Sequence, residues 1–300
     1  MVKPSKEERI KFNVDYTGDN VFSSNARLQQ SKWRDKKGYP QGKLGNFLDT
    51  DFATKTKSNF LTKNIQVLVE KEVLNSKKTR GLISEPRIWN NLLSSQPLCF
   101  NLFGELHYDL ELATKYFQKL FPNVLDKVTS VMFEYSPGRG DLKYLGDHSA
   151  FDVFIKYSKG NKNGFIAIEV KYAECLKEET LIKATKNFKE HYATLTNRSG
   201  LFEPGSIDFL KRPPLSQIWR DHLLSVATKQ DFDKGFFVFL FPSNNINCQK
   251  GVDAYKEKLA SKNEIENGFC PRYLEDFINA LSTLTDATWA EEMKDRYVSI

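Results

Sequence analysis

Two short apolar segments carry residues whose types and spacing suit metal-assisted chemistry. Asp152 lies in Phe151-Asp-Val-Phe-Ile-Lys-Tyr157. Glu169 and Lys171 lie in Phe165-Ile-Ala-Ile-Glu-Val-Lys-Tyr172. Both alternate as strands. Phe151, Val153, Ile155 and Tyr157 share one face of the first, and Ile166, Ile168, Val170 and Tyr172 share one face of the second. The turn-rich Ser158-Lys-Gly-Asn-Lys-Asn-Gly164 joins them as a hairpin. With Tyr157 opposite Gly164, Val153 meets Ile168, Ile155 meets Ile166, and Asp152 stands opposite Glu169. One register thus serves the core and brings two carboxylates to about 5 Å at Cβ.

Like charges placed opposite one another destabilise a sheet. Lys171, on the same face as Glu169, supplies one compensating charge, and paired carboxylates suit Mg²⁺ for the rest. An ordinary solvated face would also carry charges. Against that, Phe154, Phe165 and Ala167 make this face apolar too, where unpaired charge is costly. The acid-x-Lys pattern recurs at Asp35–Lys37, Asp141–Lys143 and Glu292–Lys294. Only Glu169–Lys171 ends an apolar strand with an aspartate at hairpin distance before it.

The surrounding elements follow from period. Residues 101–119 read as one amphipathic helix, with Leu106, Leu110, Ala113 and Phe117 on a face. Val128–Tyr135 reads as a strand. Residues 179–196 return to helical spacing through Leu181, Ala184, Phe188, Tyr192 and Leu195. Leu215–Lys229 reads as a further helix and Gly235–Phe241 as a strand buried on both faces. The tail from Arg272 reads as helical, and residues 1–60 as polar and weakly periodic apart from turn signals. The expected class is α/β, a mixed sheet with helices on both faces.

Composition excludes several alternatives. The chain has 300 residues, a net charge of +6 and 40% hydrophobic residues, an ordinary globular balance. Its longest apolar run, Gly235–Phe241, is far shorter than the roughly 18 residues of a membrane span. The N-terminal ten residues lack the apolar core of a secretory signal. Cys99, Cys175, Cys248 and Cys270 form no Cys-x-x-Cys pair, so neither a zinc site nor a disulfide framework is expected, and a cytoplasmic setting is. No glycine-rich phosphate loop is present. Residues 1–100 hold 18 Lys+Arg against 10 Asp+Glu, a local excess of +8 that suggests an anionic partner.

The order helix, three strands with Asp on the second and Glu-x-Lys on the third, helix, strand resembles the PD-(D/E)XK nuclease superfamily, whose fold is the restriction-endonuclease-like αβββαβ core. Residues 96–241 carry it. Gln96–Glu105, Glu134–Arg139, Ser149–Asp152 and Ile168–Tyr172 resemble, more narrowly, a bacterial family classed with restriction endonucleases. That likeness reaches back to Gln30-Ser-Lys-Trp-Arg34. Ala150-Phe151 stands where the superfamily pattern has Pro before the aspartate. The resemblance implies a Mg²⁺ site, with Mn²⁺ able to substitute, built from Asp152, Glu169 and the Val170 carbonyl. Glu105 would complete it from the first core helix, with Glu134 as its rival for that place. Lys171 would orient the attacking water and stabilise charge on the phosphate.

Other polar residues have a second reading. Gln217 and Arg220, at i and i+3 on one helix face, either approach the site or form a structural pair. Arg139 either contacts phosphate or closes a turn. Tyr172 and Glu174 would support the motif from behind, and His148 is a lone loop histidine. Lys183, Lys186 and Lys189 either follow a phosphate backbone or form a solvated helix face. Trp33, Arg34, Lys36, Lys37 and Lys43 either grip nucleic acid or form a solubilising arm.

The domain reading is a basic N-terminal region, 1–95, that binds DNA or a partner, and a nuclease domain, 96–300, with C-terminal helices. The implied function is a Mg²⁺-dependent endonuclease on DNA in restriction or phage defence. A homodimer or a defence partner is admissible, and a membrane is not. The rivals are a catalytically silent DNA-binding or assembly module, or a nuclease for RNA, repair junctions or modified DNA.

Overall fold

A computed structural model describes residues 1–79, 81–174, 176, 186 and 188–298. Among these, five strands form one sheet in chain order: β1 Lys127–Tyr135, β2 Phe151–Lys159, β3 Lys162–Val170, β4 Lys234–Phe241 and β5 Phe269–Tyr273. β1, β2 and β3 pair antiparallel, and β3, β4 and β5 pair parallel. The β2–β3 register is the one expected: Val153 meets Ile168, Ile155 meets Ile166, and Tyr157 meets Gly164. A Cβ on Gly164 would sit 2.2 Å from the Tyr157 ring, so the missing side chain is what lets this pair close.

The helices are α1 Lys6–Lys11, α2 Val21–Lys36, α3 Thr50–Thr56, α4 Lys63–Thr79, α5 Ser95–Tyr108, α6 Leu110–Leu120, α7 Glu190–Ser199, α8 Leu215–Thr228, α9 Ile246–Lys256, α10 Leu274–Ser282 and α11 Thr288–Tyr297, with single-turn pieces between some of them. They cover both faces of the sheet. Val153, Ile155, Ile168, Val170 and Val238 face a core built with α2, α4, α5, α6, α10 and α11. Phe154, Phe165, Ala167, Phe237 and Phe239 face a second core built with α7, α8 and α9. Phe22, Trp33 and Ile65 from the N-terminal region share the first core with Phe277, Trp289 and Tyr297.

Several elements differ from the sequence reading. The helix expected over 101–119 is two helices broken at Asp109, whose non-helical backbone ends α5 and whose carboxylate accepts the Leu112 N–H to start α6. The tail is helical as expected from Leu274, but an edge strand, β5, precedes it and takes in Arg272 and Tyr273. The turn-rich N-terminal stretch contains α2, which Asn20 caps through the Ser23 N–H. Phe151 packs in the second core rather than beside Val153, as does its cross-strand partner Tyr135. Both lie next to Glu134, whose φ of 47° breaks the alternation of β1. The helix expected over 179–196 is described only in part. Lys183, Leu181 and Ala184 lie outside the described residues, while Phe188, Tyr192 and Leu195 pack into the second core as their spacing predicts.

Candidate active site

β2 begins and β3 ends on the same edge of the hairpin, and their polar residues meet there. Asp152 Oδ2 accepts the Val170 N–H at 2.7 Å. Lys171 continues the parallel pairing of β3 with β4 through its N–H to Leu240 O at 2.8 Å, which fixes its backbone. Its Nζ donates to Glu169 Oε1 at 2.7 Å. Gln217, on α8, donates to the same oxygen at 2.9 Å, which brings it beside Glu169. Both Glu169 and Lys171 are buried.

Burial pushes the Asp152 carboxyl well above the usual range, and the Glu169 and Glu134 charges push it further. Burial disfavours the Lys171 ammonium, but Glu169, Asp152 and Glu174 outweigh it and hold Lys171 above the ordinary lysine range. Glu134, beside this group on β1, accepts from Gln96 Nε2 at 3.0 Å, and burial followed by the Glu169 charge raises it to about 7. Its left-handed backbone is a strained conformation for a residue with a side chain. Cys99 lies beneath, its Sγ 3.7 Å from Asp152 O. Its thiol is pushed up by burial and by Asp152, Glu134 and Glu169 together.

One member has no counterpart in the sequence reading. Asp221, on α8 one turn beyond Gln217, is buried, and its Oδ2 has no hydrogen-bond partner among the described residues. Burial raises its carboxyl well above the usual range, with Glu169 the next cause. The i, i+4 spacing from Gln217 was the available signal, because it puts both on one helix face. Arg220 acts electrostatically on Asp221 and Tyr192. Arg139 donates to His148 O at 3.3 Å and Glu134 O at 3.4 Å, closing the loop between β1 and β2.

Other expected residues are placed elsewhere. The Glu105 carboxylate accepts from Thr62 Oγ1 and, at 3.1 Å, from Asn64 Nδ2, at the start of α4. The Glu134 charge, by contrast, helps raise Asp152. Tyr172 points away from the hairpin edge. Its hydroxyl accepts from Gln30 Nε2 at 3.0 Å, and its ring packs against Phe22 and Tyr297. Glu174 accepts the Ser95 and Tyr172 N–H groups, which ties the start of α5 to the end of β3. Trp33 and Arg34 are each 3% exposed, so neither can stack on a base or reach a phosphate. Lys36 and Lys37 pair with Asp295 and Glu292. Lys186 is exposed, and Lys189 reaches Gly146 O.

The donor set fits a hard divalent cation. It offers buried carboxylate oxygens that repel one another and outnumber the neighbouring cation. Among the described residues, no three His, Cys, Asp or Glu side chains yet converge as metal ligands. Glu169 is turned to Lys171 and Gln217, and Asp152 to the Val170 amide.

No helix of the described residues is long and apolar enough to cross a membrane. No curated protein and no solved structure matches this chain. A family model described as the PD-(D/E)XK nuclease superfamily matches residues 17–299. That span contains the αβββαβ order of α6 through β4 and both strands of the acidic hairpin, and by it the chain belongs to the PD-(D/E)XK nuclease superfamily.

Proposed function

We propose that this protein is a Mg²⁺-dependent endonuclease that hydrolyses DNA phosphodiester bonds in restriction or phage defence. The observation that carries the reading is the crowding of the Asp152, Glu169 and Glu134 carboxyls at the hairpin edge, where Lys171 donates to Glu169. Structural charge clusters are usually balanced, whereas a carboxylate excess held at one point suits a cationic cofactor.

Asp152, Glu169 and the Val170 carbonyl would hold Mg²⁺, or Mn²⁺ in its place, with Glu134 better sited than Glu105 to join them. When bound, such an ion offsets charge on the phosphate and lowers the pKa of water. Lys171 stays protonated beside Glu169, so it acts as a hydrogen-bond donor and fixed positive charge rather than as a base. It orients the attacking water in line with the leaving 3′ oxygen. The new P–O bond leaves a 5′-phosphate and a 3′-hydroxyl. Gln217, through its bond to Glu169, keeps that carboxylate from rotating away.

The test is supercoiled plasmid incubated with the purified chain and Mg²⁺. Wild type nicks or linearises it, and Lys171→Ala and Asp152→Ala leave it intact. Equal cutting by all three proteins would remove the site assignment. Salt-sensitive binding without cutting under any divalent metal would favour a silent binding module.

A further inference from the structure

Beside the end of β3 lies a cavity of about 340 Å³, walled by the N-terminal segment on one side and by Ala173 and Glu174 on the other. Ala173 is two residues past Lys171, so their Cα atoms lie within about 7.6 Å. Glu174 acts electrostatically on Lys171. Two lining residues thus directly follow the β3 end that carries Lys171, the cation assigned to the phosphate. Its size is at the low end of the roughly 300–1,000 Å³ of small-ligand sites, and a duplex cannot enter it.

Its lining offers three kinds of contact. Tyr16 is 50% exposed; Arg27 lies 4.9 Å from its ring and a Cβ on Gly18 would meet its Cε1 at 2.8 Å, so the exposed part of the ring is the surface a base would stack on. Arg27 itself is committed, with two bonds to Asp19 and one to Asn46. The Asn20 side-chain oxygen is taken by the Ser23 N–H, and that of Asn91 by Asn46 and the Leu93 N–H. What these two amides offer a guest is N–H donors. Lys43, over the Phe47 ring at 4.7 Å, has no ion pair among the described residues. Arg87, half-exposed, reaches Glu174 only at 3.5 Å.

A flat ring to stack on, N–H donors for carbonyl or ring-nitrogen acceptors, and cations for an anion together describe a nucleotide. We propose that this cavity binds one nucleotide of the DNA strand, extruded from its stack beside the cleavage site. This rests on the nuclease reading above and adds a substrate contact to it.

The test uses full-length Asp152→Asn protein, which holds DNA uncut, and duplexes carrying 2-aminopurine at successive positions around the cut. Fluorescence should rise at one position and lose that rise in Tyr16→Ala and Lys43→Ala, with Tyr16→Phe restoring it. In the cutting protein, Tyr16→Ala should raise KM for the duplex by roughly 10-fold, in line with the loss of one base–aromatic stack, and leave kcat within about twofold. No rise at any position, or an unchanged KM, overturns the proposal. A free deoxynucleoside monophosphate that binds more tightly than the strand also overturns it, and names a free nucleotide as the occupant. If wild type does not cut DNA, the nuclease reading falls and takes this one with it. If wild type cuts and the cavity variants are indistinguishable from it, this proposal alone falls.

Discussion

Two buried polar clusters in this molecule are built on opposite principles. Around Arg296, the guanidinium donates to Gln30 Oε1, Asn59 O and Asn59 Oδ1 at 2.9, 2.8 and 2.6 Å, and lies over the Trp33 ring at 4.2 Å. Gln30 in turn donates to Tyr172 and Arg296 O. Its charged fork meets neutral acceptors at each arm. At the hairpin edge, by contrast, Asp152, Glu134 and Asp221 are raised by burial and by one another's neighbours, and Asp221 keeps an unpartnered oxygen. In the first, every arm of the guanidinium is satisfied, which ties α2 and α11 to the loop that holds Asn59. The second is left wanting positive charge, and that deficit is what a functional site looks like in physical terms.

The contrast is sharpest in Asp152→Asn. Cleavage should fall by about 1,000-fold, the scale of losing one essential electrostatic contact. Thermal unfolding should shift upward, because removing one like charge relieves the repulsion. A downward shift would mean that the carboxylate supports the fold. Arg296→Ala should do the reverse. Urea unfolding should lose roughly 3 kcal/mol as Gln30 and Asn59 are left unpaired, while cleavage per folded molecule stays the same.

Glu134 tests the deficit through pH. Its carboxyl rises from 4.5 to about 7 in the fold, so the folded state binds the proton more tightly than the unfolded chain. Its contribution favours folding below pH 4.5 and is lost as pH climbs through about 7, at most about 3 kcal/mol. Glu134→Gln should flatten urea stability across that window, and an unchanged profile would remove Glu134 from the cluster. The smallest effect should come from Glu105→Gln, at most about 1 kcal/mol in urea. Its cleavage should fall less than that of Glu134→Gln, and the opposite order would restore Glu105 to the metal-binding place.

The hairpin and its register were legible because Val153, Ile155 and Tyr157 alternate on one strand and Ile166, Ile168 and Val170 on the other, and one pairing puts them on a single face. Lys171 and Gln217 were legible as partners of that hairpin. Asp221 was not, since on an amphipathic helix a carboxylate ordinarily faces water, and only the packing of α8 against the sheet buries it. α2 escaped notice for a related reason. It buries Gln30, Ser31 and Arg34, whose partners lie as far as 266 residues away, so no local period marks its inner face. The same pairing turned Trp33 and Arg34 from apparent nucleic-acid contacts into core residues. The basic charge left exposed in this region then falls on positions such as Lys43 and Arg87, outside that buried motif.

The bond between Gln30 and Arg296 also governs timing. As a chain emerges from synthesis, α2 appears before the hairpin, yet Gln30 lacks its Arg296 partner until residue 296 follows. Contacts of such high sequence separation form late and slowly. Tyr172, just past Lys171, hangs on the same Gln30 amide, so that bond adds its brace to the end of β3 only once α2 has docked. A chain made only as far as the hairpin thus carries the acidic residues before the Gln30–Arg296 bond can form.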